Sequence, residues 1–231
     1  MPFLSPEEWT AVALSLRVSF WATLVAMPLA VWVAYILARR RFWGHGLLNG
    51  LVHLPLILPP VVTGYLLLLT FGRRAPVGAW LEQTFGLVFA FRWTGAALAA
   101  GLMGFPLMVR AVRLAIEAVD PKLEEAAATL GASRGWVFVT VTLPMILPGL
   151  IAGAILGFAK AMGEFGATIT FVSNIPGKTQ TLPSAIYAFL QVPGGESSAL
   201  RLVIVSVVIA LGAVLVSELL ARRAAKLVAG K

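Results

Sequence analysis

The sequence has no cysteine among its 231 residues, two histidines and ten acidic residues. Without cysteine there can be no disulfide, thiol chemistry or thiolate-bound metal. His45 and His53 are too few to form a metal site by themselves, and no metal ligand is assigned. Charge of either sign is scarce: Asp, Glu, Lys and Arg make up 12% of the chain, about half the share of roughly 25% usual in soluble domains. No nucleophile–base pair or ligand cluster stands out, so no catalytic residue is assigned. The opening "MPFLSPEEWT" lacks a basic stretch and carries Glu7 and Glu8. A cleavable signal peptide is therefore not expected, and the first span is expected to act as the targeting signal.

What the chain does have is apolar sequence, at 59% hydrophobic residues and a mean hydropathy of +0.91. That composition specifies an all-α polytopic membrane protein forming a single transmembrane domain, residues 1–231. A spanning helix needs about 20 apolar residues. Five segments qualify, at about 9–38, 47–71, 89–109, 145–171 and 199–220. The net charge of +8 reads as loop charge in a membrane protein rather than as a nucleic-acid footprint. With the N-terminus outside, eleven Lys and Arg fall on the inner side and five on the outer, which favours N-out and C-in.

One polar stretch interrupts this pattern between the third and fourth spans, at about 117–144. Asp120 suits an N-cap and Pro121 the first helical position, while Glu124 and Glu125 favour the positive end of the helix dipole. Leu123, Ala127 and Leu130 recur at helical spacing on one face, and Gly131 ends the helix. Ser133 can cap a second short helix ahead of Leu143-Pro144. Helices that rest on lipid are rich in Lys and Arg with bulky apolar residues beneath. Here acids and alanines stand instead, which points to a protein partner.

Glu125-Ala126-Ala127, then Gly131, Val141 and Leu143-Pro144, resembles the EAA loop of ABC-importer permeases, with Val141 where isoleucine is usual. Further segments are similar to the bacterial molybdate permeases of that family: "VHLPLILPPVVTGYLLL", "FGRRAPVG" and "AMGEFGATITFVSNIPGKTQTLPSAIY". The "GEFG" segment is shared with sulfate and thiosulfate permeases, whereas "TITFVSNIPG" and "GRR" favour molybdate, with tungstate alongside it. The resemblance implies a type I importer permease fold in the bacterial inner membrane and import by alternating access. It implies that Glu124, Glu125, Ala126, Ala127, Gly131, Leu143 and Pro144 couple to an ATPase. It also implies a second copy of the chain, two ATPase subunits that carry ATP and Mg, and a periplasmic oxyanion-binding protein. No cofactor is expected in this chain. The alternatives are a sulfate permease, a secondary anion transporter and a membrane enzyme.

Other residues carry weaker signals. Pro55, Pro59 and Pro60 interrupt the second span beside Thr63 and Gly64, which marks a kink that either lines the pathway or only packs. Glu164, with Phe165 and Gly166, lies in or near the fourth span. Lys160 stands one turn before Glu164, so pairing or gating is favoured over contact with an anionic substrate. Gly149, Gly153 and Gly157 form a small-residue stripe for close helix approach, static or moving. Gly177-Lys178-Thr179 resembles the tail of a P-loop, but Val172 stands where its first glycine belongs and no strand precedes it. "LPSAIYAFL" reads as a short helix in an outer loop.

Overall fold

The computed structural model describes residues 3–228, all helix and connecting turns with no strand among them. Three helices are long and apolar enough to cross a membrane alone: α1 (Pro6–Arg39), α5 (Trp93–Glu117) and α12 (Glu196–Val228). Two bent pairs bring the number of spans to five, namely α2 (His45–Ile57) with α3 (Pro60–Phe71), and α7 (Arg134–Val137) through α8 (Leu143–Met145) with α9 (Leu147–Met162). Shorter helices complete the chain: α4 (Pro76–Phe85), α6 (Pro121–Thr129), α10 (Gly166–Val172) and α11 (Leu182–Leu190). A π-helical stretch, Phe138–Thr142, joins α7 to α8.

Helix α1 begins with a capping box. The Ser5 hydroxyl accepts from Glu8 N–H at 3.2 Å and the Glu8 carboxylate accepts from Ser5 N–H at 2.8 Å. Its 34 residues extend about 51 Å at 1.5 Å per residue, longer than a hydrocarbon core of about 30 Å. The Glu8 carboxylate is fully buried and also accepts two hydrogen bonds from Arg201, at 2.6 and 3.2 Å, which ties the start of α1 to the start of α12. A buried carboxylate is tolerable only with such partners.

At the centre of the bundle, α5 buries Ala96, Ala99, Ala100, Met103, Met108 and Val112 against α1 and α9. Small residues permit the approach. A Cβ on Gly157 would lie 2.7 Å from the Met108 side chain, and Gly153 faces Val112 and the Met108 carbonyl at 3.4 Å. Lipid tails are as apolar as the helix faces, so packing of this kind carries helix association in a bilayer. The glycine stripe is thus an intrachain face, turned to α5.

The second span is broken where Pro59 and Pro60 mark a kink, and the fourth is not the continuous helix that its apolar run predicts. Between α2 and α3 the chain turns by 111°. Leu58 and Pro59 each precede a proline, which disfavours the helical region for them, and both are extended, with ψ of 144° and 134°. Pro55 lies inside α2 without ending it. The run 145–171 breaks twice, by a 73° bend where Ile146 enters α9 and again at Gly163–Phe165 before α10. The third span is also displaced. It starts at Trp93 and continues past 109 to Glu117, with Arg113 pairing to Glu117 at 2.7 Å in the last turns.

Orientation can be checked by labelling, since the native chain has no thiol. Lys178→Cys is expected to react with an impermeant maleimide from the outer side only. Reaction from the cytoplasm alone would reverse the N-out arrangement.

Candidate functional site

Two regions gather the residues singled out by sequence. The first is the segment from α6 through α8. The Asp120 carboxylate caps α6 by accepting from Lys122 N–H at 3.0 Å, and Pro121 fills the first position. At the other end Gly131 adopts φ +88°, a conformation that costs other residues of order 1 kcal/mol or more. A Cβ there would meet no atom, so the constraint lies in the backbone alone. The Ser133 hydroxyl then accepts from Trp136 N–H at 3.4 Å and starts α7.

The two adjacent carboxylates point differently. Glu124 is turned into the protein, where the Arg39 guanidinium lies 3.3 Å away and the Thr142 hydroxyl donates to it at 2.7 Å. Arg39 also donates to the Val119 carbonyl at 2.9 Å, so one side chain from the end of α1 holds both the approach to α6 and α6 itself. Glu125 and Ala126 are exposed and Ala127 is half-buried. No residue of α6 is buried by the rest of the chain. Leu123, Leu130 and Trp136 are exposed, Leu130 at 90%, so the two leucines of the apolar stripe stand open among the described residues. Leu143 packs into the core beside Ile146, whereas Pro144 is exposed. Arg39 and Thr142 are not apparent in the sequence, because their contact with Glu124 joins positions 85 and 18 residues away.

The second region joins α3 to α10. Pro60 begins α3, and a Cβ on Gly166 would lie 2.8 Å from its ring. Gly64 sits against α10 so closely that a Cβ would come within 2.5 Å of the Ala167 carbonyl oxygen. The fold therefore brings Pro60, Thr63 and Gly64 to the same junction as Gly166, with Pro59 preceding α3. Thr63 is buried, and its hydroxyl has no hydrogen-bond partner.

Glu164 lies in the break before α10 with its side chain 1% exposed. One carboxylate oxygen receives Lys160 Nζ at 2.7 Å, and the other accepts from Ala167 N–H at 3.0 Å. The Thr168 hydroxyl donates to the Phe165 carbonyl at 2.9 Å. Glu164 thus satisfies a backbone N–H that the broken helix would leave open, a necessity at membrane depth. Phe165 leans on Tyr187 of α11, with ring centroids 5.2 Å apart. Thr179, from the P-loop-like tail, has its hydroxyl engaged by the Ile175 N–H and the Ser173 carbonyl, so it holds a turn. The two histidines each contact a backbone carbonyl, His45 that of Leu37 and His53 that of Asn49. No cluster of three or more His, Asp or Glu is found among the described residues.

An all-helical chain with broken spans, around an uncovered capped helix that carries the EAA pattern, defines a class. The family described as "binding-protein-dependent transport system inner membrane component" matches residues 26–226, and the chain belongs to that family. Among its relatives is the molybdenum transport system permease protein ModB of Escherichia coli (strain K12). It is 58% identical over 219 residues, covering 95% of this chain and 96% of the relative. ModB of Haemophilus influenzae is 53% identical over the same span. The sulfate transport system permease protein CysT of Escherichia coli (strain K12) is 37% identical over 187 residues, 81% of this chain and 67% of CysT. Among solved structures, a bacterial ABC transporter that imports the acidic polysaccharide alginate superimposes with a TM-score of 0.75. It is 19% identical, and the match covers 96% of this chain and 81% of that one. The chain has the fold of an ABC-importer permease, and membership in the family sets aside the secondary-transporter and membrane-enzyme readings.

The α3–α10 junction gives a packing test. Gly64→Ala is expected to destabilise the purified permease by about 1–3 kcal/mol through overpacking. Gly50→Ala, where a Cβ meets nothing, should be neutral or stabilising by up to about 1 kcal/mol. Thermal unfolding in detergent compares the two; equal melting temperatures would remove the close contact at Gly64.

Proposed function

We propose that this chain is the membrane-spanning subunit of an ATP-driven importer that carries molybdate, with tungstate alongside it, into the cytoplasm. The observation that carries the reading is α6. It is a capped helix with an apolar stripe of Leu123, half-buried Ala127 and Leu130, and none of its residues is fully buried among the described residues. Glu125, Ala126, Ala127 and Gly131 face the ATPase groove in this reading, while Glu124 and Leu143 anchor the helix from behind.

The partners follow from what the chain lacks. The P-loop-like tail has Val172 where the first glycine belongs, and in this reading ATP and Mg belong to two separate ATPase subunits. Five spans enclose little, so the pathway lies between two copies of the chain. Selectivity resides mainly in a periplasmic oxyanion-binding protein that delivers its load to the outer loops. In one of the related structures the alginate transporter is in complex with its pentasaccharide-bound periplasmic protein, which supports such docking. Closure of the ATPases on ATP draws the two α6 helices together and opens the cavity outward; hydrolysis reverses the movement. The junction at Pro60, Thr63, Gly64 and Glu164–Gly166 is the proposed gate, since two broken helices meet there without continuous backbone hydrogen bonding. Molybdate is favoured over sulfate because the ModB relatives are 58% and 53% identical and CysT 37%.

Reconstituted with its ATPase and binding protein, the permease should show ATPase activity stimulated by molybdate and not by sulfate. The opposite pattern would overturn the substrate while leaving the importer class intact. The docking helix has its own test. Ala127→Trp should lower copurification of the ATPase and abolish uptake while the permease still inserts. A helix resting on lipid would instead tolerate tryptophan there, and full retention of ATPase and transport would remove the assignment.

A further inference from the structure

At the end of the bundle that carries α6, a cleft of about 930 Å³ opens between α1 and the start of α7. Arg40, Arg41 and Arg134 line it together with the aromatic rings of Trp32, Tyr35 and Phe138. No acidic residue lines it, and none of the three arginines makes an ion pair or side-chain hydrogen bond among the described residues. Their neighbour Arg39 is different, being committed to Glu124. The lining runs along α1 from Arg40 back to Pro28, about 18 Å of helix at 1.5 Å per residue. One leaflet of hydrocarbon is about 15 Å deep. Trp43 is fully exposed just beyond the arginines, as suits a side chain at headgroup level.

We propose that this cleft holds an anionic phospholipid, with its phosphate between Arg40, Arg41 and Arg134 and an acyl chain against Trp32, Tyr35 and Phe138. The charge and the shape select together. A small free anion would leave the apolar part of the lining uncovered, and a zwitterionic lipid would leave the three guanidiniums without net compensation. Basic clefts between helices on the cytoplasmic side suit anionic headgroups. Tyr35 and Phe138 already meet edge to face across the cleft, at 5.3 Å between centroids. A lipid seated there braces α1 against the π-helical stretch that follows α6, and so steadies the docking helix. The cytoplasmic placement rests on the function proposed above, whereas lipid retention depends only on the cleft.

The test is native mass spectrometry of the permease, alone and with its ATPase, after exchange against vesicles of equal phosphatidylglycerol and phosphatidylcholine. Wild type is expected to retain phosphatidylglycerol selectively in both forms, with no displacement by millimolar inorganic phosphate. Neutralising R40Q/R41Q/R134Q should reduce that preference by on the order of a hundredfold, about fivefold per arginine. The charge-matched R73Q/R74Q/K178Q variant should keep it, and R40K/R41K/R134K should keep most of it. Should the neutralised variant fail to assemble, Gly135→Phe gives a second route. It adds bulk to the lining at a position where a Cβ meets no atom, removes no charge, and should lower lipid retention. Equal preference in the neutralised and charge-matched variants would overturn the proposal, as would undiminished retention by Gly135→Phe. Displacement by phosphate would make the cleft a small-anion site. Retention by the permease alone but not by the complex would mean that protein covers it. An inactive complex that still retains phosphatidylglycerol would count against the transport reading and not against the lipid.

Discussion

The contact between Arg39 and Glu124 is the constraint on which the functional end of the molecule depends. A nine-residue helix is too short to be stable alone in water, and α6 buries nothing that would compensate. Its position comes from caps and from this one inward carboxylate, shared between the Arg39 guanidinium and the Thr142 hydroxyl. Three elements are therefore joined at one carboxylate: the end of α1, α6, and the π-helical stretch leading into α9. Under the proposed function, a force applied to α6 by the ATPase would reach the spanning helices through that contact.

The remainder of the architecture follows from the demand that backbone polar groups be satisfied away from water. Long helices such as α1 and α5 meet it internally. Broken spans cannot, and here side chains complete them. Glu164 accepts the Ala167 N–H, and Lys160 neutralises the carboxylate that this placement buries. The same economy explains the glycines. Gly64 and Gly166 let α3 and α10 touch at backbone distance, so two discontinuous helices support each other where neither could stand alone.

Much of this was legible in the sequence, for identifiable reasons. The caps of α6 and the turn at Gly131 depend on local chemistry within a few residues, and α11 coincides with "LPSAIYAFL". The i, i+4 pairing of Lys160 with Glu164 was readable from spacing alone. The broken spans were less so. Hydropathy averages over a window and cannot tell a straight span from two helices at 111°; only the Leu58-Pro59-Pro60 sequence marked a disturbance. The break at Gly163–Phe165 had no proline to announce it. Contacts such as Arg39 with Glu124, or Arg201 with Glu8, join residues 85 and 193 positions apart, and no local pattern encodes them. Helix α4 was hidden for another reason, being ten residues long and only partly apolar.

The central claim is that the uncovered face of α6 is covered by an ATPase subunit. Leu130 is the most direct reporter, since it is 90% exposed in the chain and can be replaced by the only thiol in the molecule. Leu130→Cys should react rapidly with a soluble maleimide in the purified permease. The reaction should slow strongly once the ATPase is bound, and recover when the ATPase is stripped away. An unchanged labelling rate in the assembled, active complex would contradict the account.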